Sequence, residues 1–307
     1  MAEIRDCAPL GDAGHVQVTT LYSGISRGTE RLVFQGKVPA SEHETMRAPF
    51  QDGDFAFPIK YGYAAVGRVE GGDRADEIVF ALYPHQTRFS VPPDGVVSVP
   101  ATVPAGRAVL AANMETALNI VWDAAVHPGD RVVVVGAGVV GSLAAYLSAQ
   151  MPGAEVCLVD IDPFKAPLAA RLGCTFALPP EAPGGADVVI HTSASSAGLA
   201  TAIAAAGTEA TISEASWYGT QQTTVPLGAQ FHQKRLRIVG TQVGRIPAHM
   251  AARWTYRRRL SKALELLADP VLDALISGES TFEDLPKDYG SILSNPATLC
   301  HRICYLQ

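Results

Sequence analysis

The sequence predicts an α/β protein of two domains, a β-rich one and a doubly wound parallel sheet with helices on both faces. Its 307 residues are about twice the length of a typical domain. After about residue 112, short apolar strands alternate with helices, as in a parallel sheet that is buried on both faces. A glycine-rich turn, Gly136-x-Gly138-x-x-Gly141, joins the first of these strands to a helix.

The first 105 residues are predicted to be rich in strands. The segments VQVTTLYSG (16–24) and EIVFALYPHQTRFSV (77–91) partly alternate apolar and polar residues, and Gly, Pro and Asp separate the segments. Residues 37–60 contain several prolines and three phenylalanines, and we expect a long irregular loop there.

From residue 112 onward the pattern predicts a helix, then a regular alternation. The predicted strands are 131–135, 155–160, 187–191, 209–213 and 236–240. The predicted helices are near 139–150, 163–172 and 197–206. After residue 248, MAARWTYRRRLSKALELLAD is predicted to be one amphipathic helix, and the tail TLCHRICYLQ is predicted to be a strand.

Composition and charge exclude several functional classes. A hydrophobic content of 48% and a charged content of 18% are usual for soluble globular proteins. The net charge of -6 argues against a nucleic-acid binder, because such domains carry clustered basic residues. We find neither a signal peptide nor an apolar run near the roughly 18 residues of a membrane span. Five scattered cysteines indicate reduced thiols, so we expect a cytoplasmic protein.

The glycine turn predicts a dinucleotide site. Gly136 permits a tight turn, Gly138 lets a pyrophosphate approach the backbone, and Gly141 lets the helix pack close to the strand. The N–H groups at the helix start, at Val139 and Val140, then face the phosphates together with the positive end of the helix dipole.

Asp160 ends the second predicted strand, where a carboxylate can accept both ribose hydroxyls and repel a 2′-phosphate. We therefore favour NAD(H), and Arg171 further along the chain keeps NADP(H) possible. The alternatives are a glycine-rich turn without a ligand and a methyltransferase, whose nucleotide-binding sheet also has a glycine loop and a ribose-binding acid.

Four segments resemble medium-chain dehydrogenases/reductases of the zinc alcohol dehydrogenase type. YSGISRGTE (22–30) is similar to the segment that carries their first catalytic zinc ligand. GYAAVGRV (62–69) is similar to their glycine-histidine-glutamate segment, and HPGDRVVVVGAGVVG (127–141) to the entry into their nucleotide domain. LISGESTFEDLPKDYGSIL (275–293) is similar to the tail that packs on their first domain.

The resemblance implies a GroES-like catalytic domain (1–111 and 249–307) and a Rossmann domain (112–248), with the active site in the cleft between them. It also implies a homodimer formed through an edge strand, with a small-molecule substrate and neither nucleic acid nor a membrane as partner. Four further residues are expected on the cofactor side: Thr116, Thr192, Ser193 and Glu214.

The sequence departs from this family at the zinc ligands. Ser26 stands where the first cysteine is expected, Tyr63 replaces the histidine, Ala64 replaces the neighbouring acid, and the third ligand position falls near Ala112. A catalytic zinc needs about three N, S or carboxylate ligands, which these residues do not supply. The sequence therefore predicts a zinc-free member, closest in SGISRGTE and GYAAVG to bacteriochlorophyllide hydroxyethyl dehydrogenases.

Without zinc, a protein donor must stabilise the substrate oxygen. We expect the Tyr63 phenol to bond that oxygen, Ser26 and Thr29 to relay a proton, and Glu30 to orient them. The alternatives are a buried structural tyrosine, a turn serine, and a Glu30 paired with an arginine. His191, at the end of the third strand, is either a satisfied strand-end histidine or a catalyst.

The predicted function is zinc-independent, NAD(P)-dependent oxidoreduction of an alcohol/carbonyl pair. One alternative is reduction of an activated C=C bond, as in enoyl- and quinone-type reductases. A second alternative is a nucleotide-binding protein without catalysis.

Overall fold

A computed structural model describes residues 1–7, 11 and 14–305, and it has the predicted α/β class. The chain folds as two compact units, one formed by residues 1–112 with 257–307 and the other by residues 113–256. Within the described residues, every helix is too short or too polar to cross a lipid bilayer.

The described chain contains fifteen strands, numbered here in chain order. They are β1 (Val16–Ser26), β2 (Asp52–Gly53), β3 (Ile59–Lys60), β4 (Ala65–Val69), β5 (Ile78–Ala81), β6 (Arg88–Val91), β7 (Val97–Ser98), β8 (Arg131–Val135), β9 (Glu155–Val159), β10 (Thr175–Ala177), β11 (Ala186–His191), β12 (Ala206–Glu214), β13 (Arg237–Gly240), β14 (Ile276–Thr281) and β15 (Cys300–Cys304).

The α-helices in the described chain are numbered in the same way. They are α1 (Arg27–Phe34), α2 (Ala105–Ala108), α3 (Ala111–Ala124), α4 (Val139–Ala149), α5 (Ala166–Arg171), α6 (Ser196–Ala205), α7 (Ala248–Ala251), α8 (Tyr256–Leu266) and α9 (Leu285–Ser294).

The first unit is built around β1, which is 11 residues long. Its sheet has the order β14-β15-β1-β4-β5-β7, and β6 also pairs with β1. The alternating residues of these strands bury apolar side chains such as Val18, Val79 and Phe89 on one side. A second apolar cluster joins Ile25 and Ile303 to α9, so that β1 packs against a different apolar cluster near each of its ends.

The second unit is a six-stranded parallel sheet with the order β10-β9-β8-β11-β12-β13. Valines and isoleucines such as Val133, Val189 and Ile212 are buried because helices cover the sheet. β8 lies between β9 and β11, so the strand order reverses at its carboxyl end. Ligands of doubly wound folds bind at such a point, and the glycine turn follows β8 directly.

The structure differs from two of the sequence predictions. The single helix expected after residue 248 is two helices, α7 and α8, and the break between them brings the Trp254 ring to 4.8 Å from that of Trp122. Residues 37–60 are largely irregular, as expected, but they also form the β2–β3 hairpin. The predicted C-terminal strand is β15, and the last two residues of that prediction, 306 and 307, lie outside the described range.

Candidate active site and cofactor site

The three glycines after β8 meet different surroundings. Gly136 has a φ of 110°, and a Cβ atom there would lie 2.8 Å from Thr192 Oγ1. A Cβ atom at Gly141 would overlap the carbonyl oxygen of Gly136 and lie 2.5 Å from Thr192 Oγ1. Gly138 is exposed, and a Cβ atom there would meet no atom of the described chain within 4 Å. Gly136 and Gly141 are therefore required by close packing, whereas Gly138 faces open space.

The open space at Gly138 lies at the start of α4. Gly138 is the N-cap of this helix, and no side chain among the described residues caps it. The first N–H groups of a helix, here those of Val139 and Val140, have no acceptor within the helix. Together with the helix dipole they favour an anion. We call these backbone N–H groups and the open space beside Gly138 the cradle. Its donors and its free space both suit a pyrophosphate group.

Asp160 follows the end of β9, beside the glycine turn. Its Oδ2 accepts a hydrogen bond from the Ala137 backbone N–H (2.6 Å), and its Oδ1 accepts one from the Asp162 N–H (3.0 Å). These bonds fix the carboxylate against the turn. Because an ionised carboxylate has about four acceptor positions, Asp160 keeps acceptor capacity for ribose hydroxyls.

Two of the predicted cofactor residues follow β11, and their side chains support neighbouring groups. Thr192 Oγ1 donates to the carbonyl oxygen of Gly136 (2.9 Å), and so it braces the glycine turn. Ser193 is exposed, and its hydroxyl lies 2.6 Å from His191 Nε2. Thr116, predicted with them, is half-buried on α3.

Glu214 ends β12 and belongs to a buried polar network. Its Oε2 lies 2.7 Å from His191 Nδ1 and accepts from the Tyr218 hydroxyl (3.1 Å), while its Oε1 accepts from the Ser216 N–H (2.9 Å). Burial raises the pKa of Glu214, but the bonds from His191 and Ser216 outweigh it, so the net pKa lies below the usual value. His191 has a partner at each ring nitrogen, as a satisfied strand-end histidine would.

The four predicted catalytic residues come together in the first unit. Tyr63 lies just before β4, Ser26 ends β1, and Thr29 and Glu30 lie on α1. The Tyr63 hydroxyl forms hydrogen bonds with the side chains of Ser26 and Thr29. Burial, followed by the nearby Glu30 carboxylate, raises the pKa of Tyr63, and the two hydrogen bonds offset only part of this rise. The phenol therefore keeps its proton and acts as a hydrogen-bond donor or acceptor.

Glu30 is fully buried and hydrogen-bonded on both oxygens. Its Oε1 accepts from the Ser26 backbone N–H (2.7 Å), and its Oε2 accepts from the Tyr289 hydroxyl (2.6 Å) and lies 3.0 Å from His85 Nε2. The side chains that bond Glu30 among the described residues are thus a histidine and a tyrosine, and the alternative of an arginine partner is not what the structure shows.

His85 and Tyr289 belong to the site but are not predicted by the sequence. His85 is 55 residues from Glu30 along the chain, and Tyr289 is 259 residues away. No spacing rule links residues at such separations, because α1, the segment between β5 and β6, and α9 come together only in the folded unit. The local signal is the Pro84-His85 pair in the segment between β5 and β6, and it matches no motif by itself.

The residues at the zinc positions of the similar enzymes do not fit a zinc ion. Ser26 and Tyr63 bond each other through their side chains, and Ala64 and Ala112 are buried and have no ligand atom in their side chains. Throughout the described ranges, no three His, Cys, Asp or Glu side chains are grouped so that they could hold a metal.

Comparison with known proteins gives a partial sequence match. No protein-family model matches the sequence. The chain is 31% identical over 189 residues to D-guloside 3-dehydrogenase of Escherichia coli strain K12, a match that covers 56% of this chain and 53% of that enzyme. The enzyme of the same name from Shigella flexneri matches equally. The chain thus spans about half the length of the curated relatives it matches.

Comparison with solved structures shows the fold over nearly the whole chain. 2R,3R-butanediol dehydrogenase from Bacillus subtilis superposes with a TM-score of 0.76 at 16% identity. The superposition covers 98% of this chain and 95% of the butanediol dehydrogenase chain. Alcohol dehydrogenase TADH from Thermus sp. ATN1 superposes with a TM-score of 0.75 at 18% identity, over 99% and 96% of the two chains. The predicted GroES-like and Rossmann fold of the alcohol dehydrogenases is confirmed.

Proposed function

We propose that this chain, which has the alcohol dehydrogenase fold, is an NAD(P)-dependent dehydrogenase that interconverts an alcohol and a carbonyl without zinc. The observation that carries the proposal is the open cradle at Gly138, at the uncapped start of α4 and beside the fixed Asp160 carboxylate. Partial sequence identity to a named dehydrogenase supports the same activity.

The second unit supplies the groups that hold the cofactor. Val139 and Val140 offer backbone N–H groups to the pyrophosphate, and Asp160 accepts from the adenosine ribose. The carboxylate repels a 2′-phosphate, which favours NAD(H) over NADP(H). A nicotinamide cofactor held by these residues would supply the hydride donor or acceptor of the reaction. Thr192 and Ser193 support this site indirectly. The Thr192 side chain fixes the glycine turn, and the Ser193 side chain fixes His191.

The first unit supplies the group that handles the substrate oxygen. The Tyr63 phenol donates a hydrogen bond to a carbonyl oxygen or accepts one from an alcohol. Ser26 and Thr29, both bonded to that phenol, orient its proton and pass a proton along the hydroxyls. This hydroxyl set performs the part that a Lewis acid plays in zinc enzymes.

Secondary alcohols are the substrate class that the comparisons and motifs share. D-guloside 3-dehydrogenase is named for oxidation at a ring carbon that bears a secondary hydroxyl. The resemblance of SGISRGTE and GYAAVG to bacteriochlorophyllide hydroxyethyl dehydrogenases points to another secondary alcohol, in a hydroxyethyl group. Methyl glycosides and simple secondary alcohols are therefore the first substrates to test.

The experiment compares Tyr63→Phe with Tyr61→Phe, a control that removes a phenol whose ring lies 6.1 Å from the Tyr63 ring. We expect Tyr63→Phe to lower kcat at least about tenfold with unchanged NADH affinity by calorimetry, because only the donor to the reacting oxygen is lost. The control retains most of its turnover. Wild-type turnover in the Tyr63→Phe enzyme would remove this phenol from the mechanism.

Two measurements on the wild-type protein, deuterium transfer from a labelled cofactor and NADH binding, distinguish the two alternative functions. Deuterium transferred from a labelled cofactor to the carbon that bears the hydroxyl oxygen of the product supports alcohol/carbonyl chemistry. Deuterium on a former C=C carbon supports an enoyl-type reductase. Tight NADH binding without turnover across the substrate panel supports a nucleotide-binding protein without catalysis.

A homodimer is part of the proposal. β13 is the edge strand of the parallel sheet, and Val239 on it is 38% exposed. An unpaired strand edge can pair with the same edge of a second copy. Sedimentation of the wild type and of Val239→Lys tests this, with a shift to monomer expected in the variant.

A further inference from the structure

A chain of hydrogen bonds ends on the buried Glu30 carboxylate and passes through His85. His85 Nε2 lies 3.0 Å from Glu30 Oε2, and His85 Nδ1 lies 2.8 Å from the Ser23 hydroxyl. The Ser23 hydroxyl lies 2.9 Å from that of Tyr305. The side chains of His85 and Glu30 are 7% and 0% exposed, so water does not replace these bonds.

The polarity of this chain follows from chemistry. An ionised Glu30 only accepts hydrogen bonds, so His85 Nε2 carries a proton and donates it. In the neutral imidazole Nδ1 is then an acceptor, which requires the Ser23 hydroxyl to donate to it. Ser23 in turn accepts from the Tyr305 hydroxyl. Each hydrogen bond in this series is thus donated in the direction of Glu30. The His85 tautomer with the proton on Nε2 satisfies all of them.

Glu30 links this chain to the Tyr63 hydroxyl. Glu30 fixes the start of α1 through the Ser26 N–H, and the Ser26 and Thr29 side chains bond Tyr63. The Glu30 charge also acts on the phenol, because after burial it is the largest cause that raises the pKa of Tyr63. A buried carboxyl group is costly unless hydrogen-bond donors surround it.

We propose that His85 is a positioning residue for the Tyr63 site: its Nε2–H holds the buried Glu30 carboxyl group in place, and Glu30 holds the hydroxyls that orient the Tyr63 proton. The inference rests on the proposed function of Tyr63. It assigns a role to a histidine that neither the family motifs nor the local sequence marks.

The test uses three variants of the 307-residue chain. His85→Leu removes the donor, His85→Gln retains an N–H donor that does not titrate, and Glu30→Gln removes the charge. The matched control is His301→Gln, because His301 is also a buried histidine of this unit, bonded to a serine, Ser280, at 2.8 Å. The probe is 3-fluorotyrosine placed at position 63, whose ¹⁹F shift follows ionisation of the phenol without any substrate.

We expect the fluorotyrosine to ionise at lower pH in His85→Leu and in Glu30→Gln, because Glu30→Gln removes the carboxylate beside it and His85→Leu removes the donor that holds this carboxylate in place. His85→Gln and His301→Gln should titrate as the wild type. In kinetics, His85→Leu should lower kcat at least about tenfold with unchanged cofactor affinity, and His85→Gln should restore most of that loss.

An unshifted ¹⁹F titration in His85→Leu, alongside a shifted one in Glu30→Gln, would overturn the inference. Equal loss of kcat in the Leu and Gln variants would also overturn it, since the imidazole would then act by more than donation. Should His85→Leu not fold, Ser23→Ala removes the bond that fixes the tautomer and should give a smaller shift of the same sign. The ¹⁹F result does not depend on turnover, so a failed dehydrogenase assay leaves this test intact.

Discussion

Two alanine substitutions in one turn should separate the folding role of the glycines from their ligand role. Gly138→Ala adds a methyl group where no atom lies within 4 Å. Gly141→Ala adds the same methyl group onto the Gly136 carbonyl oxygen and 2.5 Å from Thr192 Oγ1. The two variants have identical composition, so a difference between them reports position alone.

The expected sizes follow from these surroundings. Alanine adopts the Gly138 backbone, with φ of −71° and ψ of 176°, without strain, and the weaker N-cap costs about 0.5–1 kcal/mol. At Gly141, alanine gains up to about 1 kcal/mol of helix propensity, but the overlapped atom belongs to the backbone and cannot move alone. Overpacking of this kind costs about 1–3 kcal/mol or more, so we expect a net loss of stability.

Urea unfolding followed by tryptophan fluorescence measures the stability, and calorimetry measures NADH binding. We expect Gly138→Ala to unfold near the wild-type midpoint and to bind NADH at least about tenfold more weakly, about 1.4 kcal/mol, because the methyl group occupies the space of the pyrophosphate. Gly141→Ala should unfold at lower urea concentration. Wild-type NADH affinity in Gly138→Ala would refute the assignment of the cradle, and wild-type stability in Gly141→Ala would refute the packing argument.

Three further outcomes are expected. Asp160→Ala should weaken NAD binding and relax the rejection of NADP, and an unaltered cofactor preference in competition titrations would contradict the ribose assignment. The pKa of Glu214 is lower in the folded protein than in the unfolded chain. Its ionised form therefore stabilises the fold fully above the usual carboxyl pKa of about 4.3, and this stabilisation is lost as the pH falls through the lower, folded pKa. The melting temperature of Glu214→Gln should consequently fall less on acidification than that of the wild type. Iodoacetamide at neutral pH should label the exposed Cys7 and spare Cys300, whose burial raises its pKa to about 12, and mass spectrometry of the peptides reads out both.

The parts that the sequence predicts well are those encoded by local periodicity. The strands of the parallel sheet, the turn at Gly136 and the position of Asp160 all follow from spacing within about 25 residues. Such patterns express backbone geometry and burial, which neighbouring residues determine together. The observed bounds of β8 are those predicted, and the predicted bounds of β9 are longer by one residue.

The parts that the sequence does not predict depend on distant contacts. Resemblance placed Tyr63, Ser26 and Glu30 near one another, but His85 and Tyr289 entered the site only with the folded sheet. The break between α7 and α8 has the same origin, because periodicity continues across it and the Trp254–Trp122 contact lies far apart in sequence. Side-chain networks of this kind require tertiary structure.

The pairing of β1 with β15 has a consequence for biosynthesis. β1 is made early, yet one of its sides pairs with a strand that leaves the ribosome some 270 residues later. Meanwhile residues 113–256 form a contiguous unit that can complete its own sheet. Until β15 is synthesised, the β15-facing edge of β1 in the nascent chain therefore remains unpaired. We expect chaperones to bind nascent chains that are truncated before β14.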